Sequence, residues 1–68
     1  MKYVAIYRRE SSNSTPLTVL KDARIRQIAT ADEFNIGYGK QLFIQVERDP
    51  GWYEYYLASV YRALEVEK

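Results

Sequence analysis

Between Arg8 and Thr15 the sequence sets two guanidinium groups and four hydroxyls, Ser11, Ser12, Ser14 and Thr15, around one carboxylate, Glu10. Guanidinium forks and hydroxyl donors are the groups that hold phosphate or carboxylate. A serine beside an arginine also raises the question of a nucleophile. The segment follows an apolar run, KYVAIYR at 2–8, and leads into Pro16. With Ser14 or Thr15 as N-cap and Pro16 at the first helical position, the loop joins a strand end to a helix start. Free N–H groups at such a junction attract anions. Arg8, Arg9, Ser11, Ser12, Ser14 and Thr15 are therefore the candidate anion or phosphate site. Helix capping and loop composition account for the same hydroxyls without any ligand.

Two other groupings bear on binding. Lys21, Arg24 and Arg26 form the densest basic patch, with Asp22 among them. A basic stripe contacts phosphate backbones, and a solvated face has the same composition. Tyr38, Tyr55 and Tyr61 are expected on the exterior, where aromatic rings read as an interaction surface. The carboxylate pairs have plainer explanations. Asp32-Glu33 follows Thr30 with the T-x-x-E spacing of a capping box, and Glu65/Glu67 lie in a charged tail.

The chain has neither cysteine nor histidine. That removes disulfides, thiolate ligands, a thiol nucleophile and the usual general base near neutral pH. Zinc coordination loses its common ligands too. We therefore expect no catalytic residues, no metal, no cofactor and no enzymatic activity. FNIGYGK, residues 34–40, lacks the spacing of a phosphate-binding Walker loop.

The elements that must position these residues are read from periodicity. KYVAIYR is a strand with apolar residues on both faces, Tyr3, Ala5 and Tyr7 on one and Val4 and Ile6 on the other. Such a pattern suits a strand covered on both sides. A helix over Pro16–Phe34 would gather Leu17, Leu20, Ala23, Ile28, Ala31 and Phe34, although LTVL and ARIRQIA also read as strands. Residues 35–40 carry two glycines and an asparagine and form a turn. Residues 41–47 alternate as a strand with one apolar and one mostly polar face. Pro50-Gly51 fits either a hairpin turn or a helix start. The helical period of Trp52, Tyr53, Tyr56, Leu57, Val60, Ala63 and Leu64 favours a helix over 50–66. The expected fold is a single α/β domain over 1–68, a two-layer βαβα unit completed by dimerisation. The alternative is an α+β fold, with three antiparallel strands under a C-terminal helix.

Size points the same way. A 68-residue chain buries only about 60% of its unfolded surface, and small domains need a staple. With disulfides and metals removed, association remains, so a homodimer or a protein partner is expected. Net charge is only +1, yet residues 1–31 hold six bases against two acids, and residues 32–68 hold four against seven. That asymmetry fits a matched interface or a nucleic-acid face. No apolar run is long enough to span a bilayer and no secretion signal opens the chain, so cytoplasmic residence without a membrane partner is expected.

VAIYRRESS, residues 4–12, resembles the start of the serine recombinases, the resolvase and invertase family. In that family an apolar strand runs into Tyr-x-Arg-x-Ser-Ser/Thr, and Tyr7, Arg9, Ser11 and Ser12 match. The resemblance reaches about residue 50. It implies a strand–helix–strand order, Ser11 as nucleophile towards a DNA phosphate, and Arg9 as a ligand of that phosphate. Arg8, Glu10 and Thr15 depart from the family pattern, and the later Asp-Arg cluster has no counterpart. Taken together, the sequence points first to a small regulatory or inhibitory protein that binds a protein partner, of a kind a phage or mobile element encodes. A binder of nucleic acid or nucleotide phosphate comes second, and a degenerate recombinase-like domain third.

Overall fold

The computed structural model describes residues 2–10, 15–48 and 51–67. The strands are β1 (Lys2–Arg8), β2 (Thr18–Lys21), β3 (Ala23–Thr30), β4 (Leu42–Arg48), β5 (Trp52–Leu57) and β6 (Tyr61–Glu67). One helical turn, α1 (Ala31–Phe34), interrupts them. They pair antiparallel throughout, as two three-stranded sheets of order β2-β1-β6 and β3-β4-β5. The fold is all-β. Both the βαβα expectation and the α+β alternative with a C-terminal helix are overturned.

The two expected helices fail for the same reason. Residues 18–30 are rich in β-branched side chains (Thr18, Val19, Ile25, Ile28, Thr30), which favour extended backbone. Their alternation is broken twice. Asp22 adopts a left-handed conformation (φ 54) between β2 and β3, and the register shifts between Ile25 and Gln27. Each break changes which parity faces inward, so the apolar positions fall at mixed spacings that mimic a helical period. In residues 50–66 the break is the corner at Ala58–Val60, where Val60 N donates to Leu57 O (3.0 Å). Tyr56 packs inward before the corner and Tyr61 after it, an odd spacing that alternation does not allow. β4 pairs with β5 from Arg48 opposite Trp52, so no helix begins there; Pro50, on which both the hairpin and the helix-start readings rest, lies outside the described residues.

Asp22 and the 58–60 corner pass the chain from one sheet to the other, the device by which bent strands close a two-sheet core. A branched residue at Asp22 pays the left-handed penalty in full. Asp22→Val is expected to lose about 1–2 kcal/mol of stability, and Asp22→Gly to lose none of that penalty. Urea unfolding of the two variants checks this, and equal losses would contradict the assigned backbone.

Between the sheets, Val4, Ile6, Leu20, Ala23, Ile44 and Val46 form the buried core. Ile25, Tyr56, Ala58, Tyr61 and Ala63 pack against it. A second packed layer lies on the opposite side of β4. Thr30 caps α1 by accepting from Glu33 N (3.4 Å), the capping-box contact its spacing implies. Asn35, left-handed at φ 60, ends the turn. Bonds from Ala31 N to Gln41 O and from Asp32 N to Gly39 O, both 2.9 Å, close the excursion at its base. Phe34 then meets Tyr55 (5.1 Å between ring centres) and Tyr38 meets Phe43 (5.7 Å). Phe43, Ile44, Gln45 and Val46 are consequently all buried. The polar face expected for this strand is a covered one, and Gln45 Nε2 is satisfied by donating to Tyr55 Oη (3.1 Å).

Candidate functional site

The first sheet carries the candidate surface. Its central strand, β1, spans the residues expected and sends Val4 and Ile6 into the core. Tyr3, Ala5 and Tyr7 have the opposite parity. Register extends this outer face to both neighbours. Val19 and Leu64 lie opposite Ala5, Lys21 and Val66 opposite Tyr3, and Arg62 opposite Tyr7. Pro16 closes one border and lines a shallow groove of about 310 Å³ with Tyr3, Ala5, Tyr7, Val19 and Val66. On this face Ala5 is buried at 4% exposure, and Tyr3 and Tyr7 are half-buried. Val19 is 51% and Leu64 53% exposed, although both are large and apolar.

Two charges sit on that face, Lys21 and Arg62, and by register no carboxylate accompanies them. The Arg62 guanidinium lies 4.2 Å from the centre of the Tyr7 ring, a cation–π contact that fixes its position. The surface is thus an apolar sheet face with a basic border. Three strands about 4.8 Å apart make it roughly one α-helix wide.

The residues singled out in the sequence fall in several places. Ser11, Ser12 and Ser14 lie outside the described residues. Thr15 is exposed, and no helix follows Pro16, so the helix N-terminus on which the anion site was built does not exist. Arg9 leaves β1 with its N bonded to Val60 O (2.8 Å) and its Nε bonded to Ala58 O (2.6 Å). Arg8 lines a hollow with Glu10, Ser59 and Val60. The basic patch is dispersed. Lys21 borders the first sheet, Arg24 pairs with Glu47, and Arg26 lies over the Tyr53 ring, 5.4 Å from its centre. Of the three tyrosines, Tyr38 is 62% exposed. Tyr55 and Tyr61 are half-buried rather than on an exposed helix face, Tyr55 under Phe34 and Tyr61 edge-on to Tyr56 at 5.9 Å.

One polar cluster escaped the sequence reading. The Glu54 carboxylate accepts from Tyr56 Oη (2.7 Å), Trp52 Nε1 (3.2 Å) and Arg48 Nη1 (3.3 Å). The Tyr56 bond, aided by Trp52 and Arg48, holds its pKa below the usual carboxylate value against the opposing effect of burial. Burial, and then the bond to Glu54, push the Tyr56 phenol up to about 12. Three donors on one carboxylate clasp the edge of β5 and favour the ionised form of Glu54. Among the described residues no group of three or more His, Cys, Asp or Glu is placed to hold a metal ion, and no helix is long and apolar enough to cross a membrane.

Compared with protein-family models, curated proteins and solved structures, the chain matches none. The strand–helix–strand order that the recombinase resemblance implies is not the order of this fold.

Proposed function

We propose that this is a non-enzymatic regulatory or inhibitory module that binds another protein through the outer face of sheet β2-β1-β6. The observation that carries the reading is β1 itself. Its sequence is patterned for burial on both faces, and the outer one is flanked by Val19 and Leu64, large apolar side chains that are about half exposed. The partner is an amphipathic helix whose apolar stripe is bordered by carboxylates. Charge favours this occupant, since Lys21 and Arg62 are the face's charged residues. A second copy is disfavoured on the same ground. A two-fold dimer would set each basic patch against itself, and like charges across an interface cost several kcal/mol. Width and length agree, because a helix of about 16 residues matches a seven-residue strand.

The test uses two synthetic helices of that length with the same leucine stripe, one bordered by glutamate and one by lysine. Amide chemical shifts report where each binds. The glutamate helix is expected to move Tyr3, Ala5, Tyr7, Val19 and Leu64, and to bind more tightly than the lysine helix. Leu64→Glu, a change at an exposed position, is expected to weaken it by about tenfold or more without altering the fold. Equal affinity for both helices, or binding to neither, defeats the proposal. A dimer by sedimentation that dissociates on Leu64→Glu reassigns the face to a second copy.

A further inference from the structure

The cleft where β1 ends is a second candidate, and it shares no lining residue with the sheet face. Hydrogen bonds tie its walls together. Arg9 holds Val60 and Ala58 as described, and Ala58 N donates to Leu42 O (2.9 Å). Arg9, Lys40, Gln41 and Ser59 line an open cleft of about 560 Å³ beside Leu42 and Leu57. That volume lies within the range of about 300–1,000 Å³ usual for small-molecule sites. The polar side chains are all able to donate, and the lining holds no carboxylate. Glu10, the acid next in sequence to Arg9, lines the neighbouring hollow of about 210 Å³ with Arg8. The turn after β1 therefore carries the acid to one side and Arg9 to the other.

We infer that this cleft binds the dianion of an organic phosphate monoester. Arg9 and Lys40 supply two positive charges, against the roughly two negative charges of such a phosphate near neutral pH. A carboxylate would match only one of them. The Nε bond to Ala58 O uses one of the five guanidinium donors and fixes the plane of the fork, which suits two-point contact with phosphate oxygens. Gln41 and Ser59 add neutral donors. Leu42 and Leu57 give the organic body an apolar wall. Lys40, which no spacing linked to Arg9, comes from the far side of the chain.

Phenyl phosphate is the probe, followed by amide chemical shifts at low ionic strength. Saturable shifts centred on Gln41, Ala58 and Ser59 are expected, weakening as salt is added. Affinity is expected to fall below about pH 6, where the phosphate regains its second proton. Lys40→Gln should weaken binding by about tenfold, the loss of one charge-assisted contact. Arg9→Lys, which keeps the charge and removes the fork, should also weaken it, and Arg8→Gln should leave it unchanged. AMP and N-acetylphosphoserine amide, titrated in parallel, tell whether a nucleoside or a phosphorylated side chain is the better body, and preference for either supports the site. Equal binding of phenyl sulfate, equal losses from Arg8→Gln and Lys40→Gln, or no saturation overturns it. Shifts on Tyr3 and Leu64 instead of the cleft also overturn it, without touching the sheet-face proposal.

Discussion

Ile44→Ala is expected to cost about 2–5 kcal/mol of stability, the largest loss of any single substitution considered. Ile44 is 2% exposed and lies in the middle of β4, between Ile28 of β3 and Tyr56 of β5. Truncating a buried isoleucine to alanine removes its transfer free energy and leaves a cavity, together about 2–5 kcal/mol. A 68-residue domain at roughly 0.05–0.15 kcal/mol per residue has about 3–10 kcal/mol in all. The substitution therefore removes from a fifth of the stability to all of it, and no disulfide supplements what remains. Ile44→Val, which deletes a single methylene, is expected to cost about 0.5–1.5 kcal/mol. The control is Ile28, the direct cross-strand neighbour, which is 58% exposed. Ile28→Ala should stay within about 0.5 kcal/mol of the parent. Urea midpoints followed by circular dichroism separate these cases. If Ile28→Ala cost as much as Ile44→Ala, the difference in burial between these two cross-strand neighbours would be wrong.

Glu54→Ala is the second large loss, and its effect extends to pH. The substitution strands the half-buried Tyr56 hydroxyl and removes the ion-pair partner of Arg48, while the indole of Trp52, a residue 62% exposed, turns to solvent. Arg48 already has a buried Nε with no partner among the described residues. Leaving such donors unsatisfied costs about 1–3 kcal/mol. The same cluster gives the folded state two pH limits. Glu54 has a folded pKa below its ordinary value of 4.5, so its stabilisation is complete above 4.5 and is lost as pH falls through the folded value. Tyr56 is shifted up, from 10.0 to about 12. Its stabilisation is complete below 10 and is lost as pH rises from there through about 12. Both limits share the Tyr56–Glu54 bond, so Tyr56→Phe should flatten the acid and alkaline limbs together. Glu54→Gln should flatten the acid limb and reduce the alkaline one. Unfolding midpoints across the pH range test this, and an unchanged profile in Tyr56→Phe would show that the bond does not control either limit.

Local signals in the sequence survived where the backbone keeps one rule. β1 keeps one parity without interruption, and its limits in the sequence, residues 2–8, are its limits in the fold. The Thr30–Glu33 cap needs only four consecutive residues and was equally legible. Elsewhere the rule changes within an element. Asp22, the bulge after Ile25 and the 58–60 corner each reverse the inward parity, and β-strands with reversed parity imitate a helical stripe. Trp52–Leu57 adds a second difficulty. Tyr55 packs under Phe34 and Tyr56 packs into the core, so neither face is polar and alternation has no contrast to show. The candidate surfaces were half visible. Tyr3, Ala5 and Tyr7 announce a doubly apolar strand, but Val19, Leu64 and Val66 sit in stretches whose apolar spacing imitates a helix, which hides their place beside it. Arg9 stood out by its neighbours in sequence, whereas Lys40 and Ser59 reach it only through β-pairing.

The pairing of β1 with β6 also bears on how the protein is made. β1 is the centre of its sheet, yet the strand that completes it is synthesised long after it, Lys2 lying opposite Glu67. At about 5–20 residues per second, a ribosome leaves YVAIY without that neighbour for several seconds. Such a stretch is apolar, uncharged and rich in β-forming residues, the profile of a segment prone to stack with other nascent chains. Lys2 on one side and Arg8 and Arg9 on the other place like charges at both ends of it, where they oppose that stacking until β6 arrives.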